Sequence, residues 1–219
     1  MLKGEQTRRK ILEKAAPLFN KRGFNGCSMQ DISAATGLEK GSLYTHFHNK
    51  EELASEAFDI AWAQSCKARV DNLDQASGSI EKLKLHIDNF VSKPSFAGGC
   101  PLLNATMDSD DGNLALFQRA RTAFNGWVAF LSDIIEQGQK SGELNPSVDP
   151  EALSTLVISL LEGAHFTSRL QKSKAPLRMA QQHLNQYLEE AVRNVQKSSF
   201  IRGGNLPARA SASAGSHNE

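Results

Sequence analysis

The clearest chemistry in this chain lies between positions 28 and 50. Lys40, Gly41, Ser42, Leu43, Tyr44, Thr45 and His46 crowd hydrogen-bond donors and one aromatic ring into seven residues. Donors gathered this way suit an acceptor-rich partner, such as the base edges and phosphates of a nucleic acid. Leu43 and Phe47, four apart, are the apolar anchors of such a segment, and a helix of two turns fits a major groove ~12 Å wide. Lys50 follows in the first turn of the next helix, where free N–H groups and a lysine make a phosphate clamp. Each assignment has an ordinary counterpart: Tyr44 and His46 can pack against neighbouring helices, and Lys50 can be a solvated charge.

The charge distribution fits the first reading. Residues 1–50 hold nine Lys or Arg against four Asp or Glu, a net +5, while the other 169 hold 16 against 20, a net −4. A basic head on a mildly acidic body points to a polyanion met by the head alone, the alternative being a solvated charged surface. Other chemistries find little support. No nucleophile–base pair, carboxylate pair or glycine-rich phosphate loop is present, so neither catalysis nor a cofactor is expected. The acidic run Asp108–Gly112 lacks the spacing and the closing glutamate of a calcium loop and reads as a helix cap. Cys27, Cys66 and Cys100 are too few and too scattered for a disulfide framework or a zinc site, so no metal is expected. No apolar run approaches the ~18 to 20 residues of a membrane span, and the first residues lack a signal-peptide core. The expectation is a cytoplasmic protein with no membrane contact.

Nearly every segment carries helical periodicity, and strand alternation is close to absent. A first helix over 7–22 contains Pro17 and stops at Gly23. A second is capped by Ser28 with Asp31 at N3 and stops at Gly37, and a third spans 40–47. Two short helices joined by a glycine-containing turn form the helix-turn-helix pattern. Asn49, with Glu52 at N3, caps a fourth helix running to about 72.

These residues carry a resemblance. Gly23-Phe24, Ser28 to Ser33, Thr36 to Phe47 and Asn49 to Leu53 resemble the DNA-binding domain of TetR-type transcriptional regulators, above all in the run Leu-Tyr-x-His-Phe-x-x-Lys-Glu-x-Leu. Two departures are small: Ser28 stands where the family more often has threonine, and Pro17 interrupts the first helix. The resemblance implies an all-α protein, with an N-terminal three-helix helix-turn-helix domain over 1–53 and a connector helix to about 72. An effector-binding and dimerising domain would follow over 54–198. It also implies that Ser28, Lys40, Gly41, Ser42, Tyr44, Thr45 and His46 meet a double-stranded operator, and that Lys50 grips phosphate. The implied activity is that of a ligand-responsive repressor. An activator with the same head, or a helical carrier or enzyme, is the alternative.

The body reads as helices over 80–92, 102–107, 113–140, 149–170 and 176–195, and residues 199–219, rich in Gly, Ala, Ser and Asn, should be disordered. Leu153, Leu156, Val157, Leu160 and Leu161, together with Leu184, Tyr187, Leu188 and Val192, give the last two helices more apolar face than a monomer of this size needs. Two copies pairing there would form a four-helix bundle, the usual dimer interface of the resembled family, although an ordinary core stripe has the same rhythm. Phe96, Met107, Phe124, Trp127, His165 and Phe166, with Phe117 and Phe130, supply soft and aromatic surface for an apolar or aromatic effector, or simply for a core. Cys100, between Gly98-Gly99 and Pro101, joins that set. Near a helix start the macrodipole lowers a thiol pKa, and Gly-Gly-Cys-Pro-Leu-Leu-Asn resembles a segment of family members that sense electrophiles. The other reading is a small buried hydrophobe.

Overall fold

The computed structural model describes residues 3–93, 96–109 and 113–194. Nine α-helices succeed one another among the described residues: α1 Lys3–Arg22, α2 Met29–Thr36, α3 Lys40–Tyr44, α4 Lys50–Arg69, α5 Ser79–Ser92, α6 Pro101–Ser109, α7 Leu114–Lys140, α8 Pro150–Leu170 and α9 Ala175–Tyr187. A 3-10 turn occupies Leu73–Gln75 and a π-helical turn Leu188–Val192. The extended pairing among these residues is one antiparallel bridge between Leu144 and Arg193. The tail at 199–219 and the turn at 110–112 lie outside the described residues.

Local chemistry explains most boundaries. Ser28 Oγ accepts from the Asp31 amide at 3.2 Å while Asp31 Oδ2 accepts from the Ser28 amide at 2.8 Å, the reciprocal box that starts α2. Gly37 ends α2 at φ 71°, a left-handed conformation that costs glycine nothing. Asn49 Oδ1 caps α4 on the Glu52 amide at 2.7 Å, but Glu52 answers to the His48 amide, one residue earlier than a standard box. Asp149 caps α8 on the Ala152 amide, with Pro150 in the first turn.

Several boundaries differ from expectation, beginning with α1, which starts at Lys3 rather than at 7. The third helix closes at Tyr44 because Thr45 and His46 turn back with i→i+3 bonds to Ser42 and Leu43. The fourth stops at Arg69, and Asn72 then takes φ 60° and redirects the chain. The expected acidic cap is instead Asn113, whose Oδ1 accepts from the Leu116 amide at 3.0 Å, and Asp108 and Ser109 finish α6. The last helix widens into its π turn at Leu188. Pro17 does not break α1, which runs through it unbroken.

Two hydrophobic clusters result. One gathers Ile11, Ala15, Phe19, Ile32, Leu43 and Phe47 from α1–α3 with Leu53, Ala57 and Ala61 of α4. The larger fills the space between α5, α7, α8 and α9, centred on Ile87, Leu131, Ile135 and Leu161. Helix α4 belongs to both: Ala57 and Ala61 face the head, and Phe58 faces the body. The head's core therefore extends past residue 53 to Ala61.

Candidate functional site

In the head, α2 and α3 share a glycine turn and hold α3 against α1 by Leu43 and Phe47, 0% and 1% exposed. With those two buried, Lys40, Gly41, Tyr44 and Thr45 face solvent and Ser42 and His46 are half-buried. Tyr44 is 46% exposed, far more than a packing role would leave. Ser28 is exposed, but its hydroxyl is committed to the cap, donating to Asp31 at 2.5 Å. That bond, the Ser28 amide and Arg22 hold the Asp31 carboxyl down at about 2. Lys50 Nζ sits 4.2 Å from the centre of the Phe24 ring, so the start of α4 carries an oriented cation.

One head residue escaped the sequence reading. Arg8 lies 4.3 Å over the Phe47 ring, donates to the His46 carbonyl at 3.2 Å and pairs with Glu52 at 2.9 Å and with Glu56. It thus clamps α1 to α4 directly behind the exposed helix. Its signal was weak, a charge on the apolar side of α1.

In the body, a cavity of about 840 Å³ opens between α4, α5 and α7. Phe58, Trp62, Trp127 and Phe130 line it with His86 and Arg69. The Trp127 indole donates to His86 Nε2 at 2.9 Å, and burial lowers the His86 pKa to about 3, so the imidazole is a neutral acceptor. Asp59 and Arg119 pair among the lining residues, both about half exposed.

Arg69 is the one Lys, Arg, Asp or Glu that is buried among the described residues, at 6% exposure. Its guanidinium lies 3.9 Å from the Trp127 ring centre and 4.9 Å from those of Trp62 and Phe90. Nη2 donates to Cys100 Sγ at 3.3 Å and to Glu162 Oε1 at 3.4 Å, and Nη1 has no partner. Sequence reasoning missed Phe58, Trp62 and Arg69, although positions 58, 62, 66 and 69 fall on one face of a helix.

Several expected pocket residues stand elsewhere. Of the expected set Trp127 lines the large cavity, joined by Phe130. Phe124 lines a separate cavity of about 340 Å³, and Cys100 and His165 border one of about 30 Å³. Phe96 also borders that small cavity and packs on the head's core. Phe117, 39% exposed, lines the same cavity as Phe124, and Phe166 is 51% exposed. The Met107 side chain lies outside the described residues. Cys100 is 3% exposed and donates to Glu162 Oε1 at 2.8 Å. Burial pushes its thiol up to about 12, with the Glu162 carboxylate adding to the shift, the reverse of the lowered thiol pKa expected near a helix start.

The expected dimer face also needs correction. Leu153, Val157, Leu161, Leu184, Leu188 and Val192 are at most 3% exposed within a single chain, because they form the contact between α8, α9 and the rest of the core. Leu156, Leu160 and Tyr187 are the members that remain in solvent, at 48, 38 and 41%.

An exposed recognition helix on a three-helix head, carried by a helical body with an aromatic cavity, defines a helix-turn-helix regulator. Comparison with known proteins agrees. Residues 11–57 match the model of bacterial regulatory proteins of the tetR family, and residues 79–184 that of the tetracyclin repressor-like C-terminal domain. A transcriptional regulator from Bacillus subtilis, YxaF, is 30% identical over 176 residues, covering 78% of this chain and 89% of that one. The repressor DhaR of a Mycobacterium species is 24% identical over 171 residues, covering 78% and 86%. The crystal structure of a TetR regulator from Chloroflexus aurantiacus superposes with a TM-score of 0.84 at 37% identity, covering 89% of this chain and all of that one. The chain belongs to the tetR family of bacterial regulatory proteins and is a DNA-binding transcriptional regulator.

Proposed function

We propose that this chain is a cytoplasmic, homodimeric repressor that leaves a palindromic operator when a small apolar or aromatic effector enters the cavity of about 840 Å³. The observation that carries the reading is the division of α3 and the turn after it, with Leu43 and Phe47 fully buried while Lys40, Gly41, Tyr44 and Thr45 face solvent. Tyr44, Lys40, Ser42 and His46 read the major groove, Thr45 and Gly41 allow the close approach, and Lys50 at the start of α4 holds phosphate. Ser28 orients α2 through its cap. A partner copy is needed because one such head specifies few base pairs, whereas a twofold pair reads half-sites ~34 Å apart. Leu156, Leu160 and Leu170 of α8, with Met179 and Tyr187 of α9, are large apolar groups left in solvent and supply that interface.

Helix α4 links cavity to head as a single rod, with Ala57 and Ala61 in one core and Trp62 and Arg69 at the cavity. A second link joins α1 to the segment before α6. Asn20 Nδ2 donates to the carbonyls of Ala97 and Gly99, both at 3.0 Å, and Asn104 donates to Asn20 O at 2.8 Å. Gly98, at φ 100°, makes this joint possible, since a Cβ there would stand 2.5 Å from the Asn20 carbonyl. An effector that binds one arrangement of these links better than the other shifts the dimer away from the operator spacing. DhaR, named a repressor, supports that sign over activation. Selection from a random duplex library at ~150 mM salt tests the reading, because lower salt lets phosphate contacts alone dominate. A twofold palindrome is expected, and Tyr44→Ala and Lys50→Ala should each weaken its binding with the dimer still folded. Enrichment of no sequence by the folded dimer would refute the reading.

A further inference from the structure

The large cavity is not chemically neutral. It is an aromatic chamber of about 840 Å³ whose lining includes a single buried charge, and that charge is under-compensated. The nearest carboxylate, Glu162, lies at 3.4 Å, a long contact for an ion pair, and its Oε1 also receives the Cys100 thiol proton at 2.8 Å. Burial raises the Glu162 carboxyl, opposed by Arg69 and the Cys100 hydrogen bond, while the Cys100 thiol, at about 12, supplies no negative charge. His86 and His165 are both held toward the neutral state by burial and nearby arginines. Asp59 is taken by Arg119. The guanidinium keeps one donor edge, Nη1, wholly unpartnered. An unmet buried donor on a fixed cation costs stability unless something answers it.

We propose that the ligand of this cavity is an amphipathic carboxylate, its apolar body between Phe58, Trp62 and Trp127 and its anionic head on the guanidinium of Arg69. This rests on the reading of the cavity as the effector site and names the class of effector. The rings of Trp62, Phe90 and Trp127 stand about 4 to 5 Å from the guanidinium carbon, so a carboxylate must meet the guanidinium at its edge. Its planar fork suits two carboxylate oxygens, and a carboxylate that takes Nη1 and Nη2 replaces the long contact to Glu162 with a bidentate one. A cation would meet the positive charge of Arg69, and a neutral amide leaves that charge unanswered. Drawing Arg69 from Cys100 and Glu162 also releases the segment at 97–104 that holds Asn20 of α1, which is how the anion would reach the head.

The test uses a matched set on the full-length protein: phenylbutyrate, phenylbutyramide and phenylbutylammonium, titrated by calorimetry. Both tryptophans of the chain line this cavity, so their emission locates the binding. The carboxylate should bind at least about tenfold tighter than either analogue, the range expected for a hydrogen bond to a charged group. Arg69→Met should erase that preference and keep the amide's affinity. Glu162→Gln, which removes the competing anion, should tighten the carboxylate alone, and it serves if the first variant does not fold. Equal affinities, a preference for the ammonium, no binding of any of the three, or an unchanged preference in both variants would overturn the assignment. Operator affinity is measured in parallel. Carboxylate binding without operator release would sink the effector reading and leave the ligand class standing, and release driven equally by the amide would do the reverse.

Discussion

Two arginines, one in each half of the molecule, are built from the same parts to opposite ends. Arg8 in the head and Arg69 in the body each lie over an aromatic ring, at 4.3 and 3.9 Å, and each meets a carboxylate. Arg8, with a third of its side chain in solvent, has two glutamates and a backbone carbonyl and leaves nothing to be supplied. Arg69, 8% exposed, has one distant glutamate, a thiol that cannot answer its charge, and an empty donor edge. A satisfied cation locks helices together, whereas a half-satisfied one leaves a donor for the proposed carboxylate to take. The head accordingly presents a surface over a fully paired arginine, whereas the body keeps an unmet donor next to a cavity.

The contrast can be broken at its largest point by Phe47→Ala. The ring is fully buried beneath Arg8, so its loss should cost the head about 3 to 5 kcal/mol. Since Trp62 and Trp127 both report the body, tryptophan emission in denaturant should keep the parental midpoint while far-ultraviolet circular dichroism loses an early fraction of helix. Coincident transitions would mean that the two cores unfold as one unit through α4. Next in size is the carboxylate pair of experiments. Glu162→Ala strands a buried guanidinium and should destabilise by about 3 kcal/mol in equilibrium unfolding, whereas Glu52→Ala leaves Glu56 in place and should cost less than about 1 kcal/mol. Equal losses would erase the distinction between the two arginines.

A pH series sharpens the same comparison. The folded His86 pKa, about 3, lies below the ordinary 6.5, so its contribution is complete above pH 6.5 and is lost as pH falls toward 3. From pH 7 to pH 5 this should remove about 2 kcal/mol from the body, measured by unfolding, and His86→Gln should flatten that slope. Asp31 in the head, lowered from 3.8 to about 2, keeps its contribution until pH falls below about 4. The body should therefore loosen first on acidification. The smallest effect is expected beside Arg8: Arg9 pairs with Glu13 in the open, at 64 and 48% exposure, so Arg9→Ala should change stability by less than about 0.5 kcal/mol.

The head was almost fully legible in the sequence because its instructions are local. Ser28 with Asp31, Gly37 and Asn49 each fix a boundary within four residues of chain, and Leu43 with Phe47 fix which side of α3 faces out. The body's helices were legible for the same reason, apart from their ends. Its site was not. Trp62, Arg69, His86 and Trp127 come from α4, α5 and α7, and nothing in the chain says that these three faces meet. Phe124 and Phe166 share Trp127's aromatic or apolar character and fall elsewhere because of helix rotation alone. The apolar stripe of α8 misled in a related way: Leu153, Val157 and Leu161 turn inward while Leu156 and Leu160, one residue away, stay in solvent.

By itself, then, the sequence determined the helices, the head and the solvent-facing side of its recognition helix, since capping, periodicity and a short amphipathic turn act over a few residues. Tertiary structure decided which residues enclose the cavity, that Arg69 is the single buried ion among the described residues, and which apolar groups remain for a partner. Those outcomes depend on the relative rotation of whole helices, and that rotation is set by the packing of every face at once.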